Sequence, residues 1–60
     1  MHRENVAVKR AIEKLATAAR DLGKSEILFK AHPVIGEQPL HDAQIHYMES
    51  LAQLHELLGI

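Results

Sequence analysis

The stretch LHDAQIHYMESLAQLHELL, residues 40–58, decides the fold. Within it Leu40, Gln44, Tyr47, Leu51, Leu54 and Leu58 recur at steps of 4, 3, 4, 3 and 4 residues, which keeps them on one stripe of an α-helix. The opposite face carries Asp42, His46, Glu49, Gln53 and Glu56 and is polar throughout. Pro39 suits a first helical position, where its missing N–H leaves no bond unmade. Asp42 then falls in the first turn, where the helix dipole favours an acid. Gly59 followed by Ile60 has the form of a glycine cap with an apolar residue folding back. The spacing predicts a helix over residues 39–58.

Towards the N-terminus a second stripe appears. Val8, Ile12, Leu15, Ala19 and Leu22 recur at steps of 4, 3, 4 and 3, flanked by Ala11, Ala16 and Ala18. Alanine favours helix and lets another helix approach closely. Gly23 follows the last stripe residue and suits a helix end, so the predicted helix covers residues 3–22. The segment between the helices is ambiguous. Ser25 suits the cap of a short helix that His32-Pro33 would stop, while Ile27, Phe29 and Ala31 alternate as a short strand would. A short turn or helix over residues 25–31 is the preferred reading, with Val34, Ile35 and Gly36 as an apolar loop.

Two amphipathic helices with a connection of this length form an antiparallel hairpin, so the fold class is all-α and residues 1–60 make a single domain. Sixty residues bury a small core, and each helix has only one apolar stripe. Pairing two hairpins into a dimeric four-helix bundle is the simplest way to close it. The interface expected from the stripes comprises Val8, Ile12, Leu15, Ala19 and Leu22 with Gln44, Tyr47, Met48, Leu51, Leu54 and Leu58. Gln44, the one polar residue on its stripe, is a candidate for fixing register.

Composition narrows the class further. Hydrophobic residues make up 47% of the chain, more than a disordered tail carries. There is no cysteine, which excludes a disulfide scaffold, a Cys-type zinc site and thiol chemistry. No apolar run is long enough for a membrane span or a signal peptide core, so a cytoplasmic location without membrane contact is expected. The formal charge of −1 hides an asymmetry: residues 1–30 hold all seven Lys and Arg side chains, whereas residues 31–60 have none and carry four acids.

Candidate constellations are few. Asp42, His46 and Glu49 lie one turn apart on the polar face and form a weak candidate metal site. His41, Met48 and His55 form a row at seven-residue steps beside the stripe, about 10.5 Å apart along the axis, too far for His41 and His55 of one chain to share a metal ion. Neither Glu-x-x-His nor His-x-x-x-His occurs, so no resident metal and no cofactor are expected. Ser50 lies one turn from His46, but a hydroxyl and an imidazole without a third group or a pocket make poor catalytic machinery, and an enzyme is not expected. Arg3, Lys9, Arg10, Lys14 and Arg20 could meet nucleic-acid phosphates, although Glu4, Glu13 and Asp21 interrupt them.

The expectation is a small non-enzymatic helical module for oligomerisation or protein interaction, regulatory or adaptor in role. Leu28, Phe29, Val34 and Ile35 are the candidate apolar patch for a protein partner. The alternative is a small nucleic-acid-binding regulator using the basic first helix, and His-mediated metal binding comes third.

Overall fold

The structure is a computed structural model that describes residues 4–60. It consists of two helices, α1 (Glu4–Ala31) and α2 (Pro33–Leu58). They pack against each other as an antiparallel hairpin: the Cα atoms span 49 × 15 × 12 Å, and a helix of 28 residues is itself about 42 Å long. The start of the first expected helix, with Arg3, lies outside the described residues.

The corner is far tighter than the sequence suggests. Pro33 occupies the start of α2, where its ring locks φ and its missing N–H is no loss. Proline also pushes the residue before it out of the helical region, and His32 sits at φ −141° and ψ 82°. That single residue is the whole connection. Its N–H still donates to the Leu28 carbonyl at 2.7 Å, closing α1, and its carbonyl accepts from the Gly36 N–H at 2.8 Å, opening α2.

Three expectations about the middle of the chain are thereby corrected. Gly23 does not end α1, which continues through residues 25–31 to Ala31. Residues 34–36 are not a loop but the first turns of α2. Pro39 lies inside α2, which leaves the Ile35 carbonyl without its usual helical donor. Asp42 is consequently well beyond the first turn, where it accepts a hydrogen bond from Gln38 Nε2 at 2.9 Å. The C-terminal cap matches expectation. Gly59 adopts φ 76° and ψ 27°, and the Ile60 N–H donates to the His55 carbonyl at 3.0 Å, the paired arrangement that closes a helix end.

The line of closest approach between the helices is made of small residues. Ala11, Ala18 and Ala43 form the buried apolar core, and Ser50 is the buried polar residue beside them. Gly36 is also buried, and Ser25 is half-buried. On each helix these residues recur every seventh position: Ala11, Ala18 and Ser25 on α1, and Gly36, Ala43 and Ser50 on α2. Small side chains let two helix backbones come close. Gly36 shows how close, because a Cβ there would lie 2.7 Å from the Phe29 Cα and 2.8 Å from its N.

The register follows from which residues flank each groove along the pair. Leu28 stands beside Gly36, Ser25 and Ala18 share a groove with Pro39, Ala43 and His46, and Ala11 and Ala7 share one with Gln53 and Leu57. Each step back along α1 is matched by an equal step forward along α2.

Candidate interaction face

The small-residue seam divides the hairpin into two unlike sides. On one side the grooves are lined by charged and polar groups. Arg10 and Lys14 stand beside Gln53 and, with Glu13 and Thr17, beside His46, while Asp21 faces Asp42 and His46. On the other side each helix turns outward through large apolar residues. Phe29 of α1 shares an open groove with Leu40, His41 and Gln44 of α2, and with Glu37 and Gln38; Phe29 continues the seven-residue series of Val8, Leu15 and Leu22, and Leu40 that of Tyr47 and Leu54.

The expected interface residues are graded across this apolar side. Val8, Leu15 and Leu22 of α1 and Tyr47, Leu51 and Leu54 of α2 are half-buried along the edge of the seam. Ile12, Ala19, Gln44, Met48 and Leu58 are exposed. The places between the two helices are filled by Ala11 and Ala18, while Ile12 and Ala19, one residue later, are exposed. Likewise Gly36, Ala43 and Ser50 fill the alternate seam places on α2. A signal existed: a small residue at every seventh place in each helix. It carries little hydropathy, so a search for large apolar residues passes over it.

The hairpin on its own covers little. Among the described residues no large side chain is fully buried, and Ile12 and Met48 are 51% and 66% exposed. The chain exposes 4833 Å², whereas a compact monomer of its mass exposes about 3,900 Å². A second apolar feature lies at the corner, where Ile27, Val34 and Ile35 are 71%, 90% and 68% exposed. Beside it Leu28 is half-buried and Phe29 is 38% exposed.

The remaining candidates are dispersed. Among the described residues no group of three His, Asp or Glu side chains is placed to hold a metal ion. Asp42, His46 and Glu49 are exposed on the polar side, and His41 and His55 are exposed on the apolar side. Ser50 is 6% exposed and belongs to the seam rather than the polar face, while His46 is exposed. Of the basic residues, Lys9, Arg10, Lys14 and Arg20 are all exposed, and Arg10 and Lys14 flank the same two grooves. Among the described residues no helix is long and apolar enough to cross a membrane. Comparison with protein-family models, curated proteins and solved structures finds no match to this chain.

Proposed function

We propose that this protein is a non-enzymatic helical interaction module that works as a homodimer, two hairpins closing their apolar sides into a four-helix bundle. One observation carries the reading. The hairpin's own core is made of alanine, glycine and serine, while Val8, Leu15, Leu22, Tyr47, Leu51 and Leu54 are only half-buried and Ile12 and Met48 are exposed. Burial of large apolar side chains is the main favourable term in folding, and a second copy supplies it. The dimer leaves the charged sides facing outward and the apolar corner free, and these are the surfaces through which a regulatory or adaptor protein would meet others.

Size-exclusion chromatography with light scattering tests the proposal. The expected mass is twice the 6.7 kDa of the chain, falling to the monomer value in Leu51→Asp. A monomeric parent chain at 100 µM or so, a concentration at which interfaces of standard size are normally occupied, overturns it.

Polyanion binding is the second reading, supported by Arg10 and Lys14 lying side by side on the outward face and opposed by Asp21 and Asp42 on that same side. Binding to single- or double-stranded RNA that falls steeply with salt, and is lost when Lys9, Arg10 and Lys14 are replaced together, would establish it. Retention of binding in that triple variant removes it.

A further inference from the structure

The apolar side of the hairpin is not flat. On α1, Ala16, Ala19 and Gly23 recur at helical spacing as a stretch of small residues, Ala19 exposed and Ala16 and Gly23 half-buried. Above Gly23 there is open space, since a Cβ placed there would meet nothing within 4 Å. Nor does the backbone require glycine, because Gly59 is the one glycine with positive φ among the described residues. Glycine inside a helix weakens it, and nothing within the hairpin compensates. On α2 the corresponding stripe carries His41, Gln44 and Met48, which are large and exposed. The register set by Leu28 beside Gly36 and Ala11 beside Gln53 puts Ala16 level with Met48 and Gly23 level with His41. A hollow on α1 and a ridge on α2 thus lie next to each other over the same stretch of the hairpin.

Resting on the self-association reading, we propose how the two copies fit: α1 of each packs on α2 of the other about a two-fold axis running along the helices, with both corners at the same end. Such an axis keeps every residue at its own level while exchanging the helices. The partner's Met48 then seats over Ala16 and the partner's His41 over Gly23, and the same fit recurs on the other half of the interface, as a two-fold contact requires. An axis running across the helices would instead stack α1 on α1 and α2 on α2. Ridge would meet ridge and hollow would meet hollow, unless the copies slipped and gave up overlap. Charge favours the first arrangement as well. All Lys and Arg of the described residues lie on α1, and α2 carries four acids and neither base, so α1 on α2 joins unlike net charges and α1 on α1 joins like ones.

The chain has no cysteine of its own, so engineered ones report the arrangement directly. A disulfide requires Cα atoms within about 4.4–6.8 Å. Ala16→Cys and Met48→Cys are prepared as separate proteins, checked for helicity, mixed and oxidised. The expected result is a covalent heterodimer in the mixture and no covalent dimer from either variant alone. Self-linking of Met48→Cys, or a dimer by light scattering that links in neither case, overturns the arrangement and leaves dimerisation standing. A monomeric mass for the parent chain overturns the self-association reading itself. Independently, Ala19→Leu fills the hollow without touching the hairpin seam. It is expected to weaken dimerisation at least tenfold with helicity retained, and an unchanged dissociation constant counts against the fit.

Discussion

Gly36 stands against the backbone of Phe29 so closely that a single added carbon at position 36 would lie 2.7 Å from the Phe29 Cα. This pair couples the corner to the seam. His32 reverses the chain within one residue, and two helices leaving so short a corner are already touching four residues later. Only a residue without a side chain fits between them.

Gly36→Ala is therefore expected to destabilise the hairpin. At an ordinary helix position the same change would stabilise by up to about 1 kcal/mol, so the sign is diagnostic. Here the added carbon meets backbone, which cannot step aside, and overpacking of this kind costs about 1–3 kcal/mol. Thermal melts followed by circular dichroism should show a lower midpoint. A higher one would mean that the helices do not meet at Gly36.

Pro39 gives the opposite case. Its ring lies inside α2, removes the donor for the Ile35 carbonyl and costs an interior helix about 3 kcal/mol or more. Pro39→Ala restores the N–H, at the loss of some of proline's restraint on the unfolded chain. The net expectation is stabilisation of about 1 kcal/mol or more, read as a higher urea midpoint with an unchanged slope.

The seam itself is tested by comparing two alanines. Ala18 is 1% exposed between the helices, whereas Ala52 is exposed on the outer surface of α2. Leucine has nearly the helix propensity of alanine, so propensity drops out of the comparison. Ala18→Leu should force the helices apart and lose about 1–3 kcal/mol, and Ala52→Leu should stay within about 0.5 kcal/mol of the parent. Equal stabilities for the two variants would show that Ala18 is not on the packed line.

Why these positions were hard to read in advance has a physical answer. The periodicity of Val8, Leu15 and Leu22 and of Leu40, Tyr47 and Leu54 identifies two helices and half of each packed edge, because large apolar residues mark themselves. Ala11, Ala18, Ala43 and Ser50 do not, since alanine is small enough to occur on either side of a helix and serine is mostly found at surfaces. Gly23 and Pro39 mislead in the same manner. Both are punctuation in an isolated helix, yet packing against a long partner carries the helix through each of them. The decisive dipeptide is His32-Pro33: its stop signal suggests the end of a short turn over residues 25–31, and it is in fact the corner. The candidate face was legible as an excess of apolar residues over what two helices can hide. Its hollow was not, because Ala16, Ala19 and Gly23 mean something only beside the larger side chains opposite them.

If folding and dimerisation are linked, stability must depend on concentration. A folded dimer in equilibrium with unfolded chains gains stability by mass action as protein is added. With an unfolding enthalpy of about 0.7 kcal/mol per residue over two chains, each tenfold rise in concentration should lift the melting midpoint by about 5 °C. Ala19→Leu, which weakens dimerisation at least tenfold, should lower the midpoint by about 5 °C or more at every concentration and leave the slope near the parent's, because the slope is set by the unfolding enthalpy. Gly36→Ala should also lower the midpoint at every concentration, because it acts on the corner within each hairpin. Melts of the parent over a hundredfold range of concentration test the link between folding and dimerisation. A parent midpoint that does not move with concentration would leave the hairpin without a second copy.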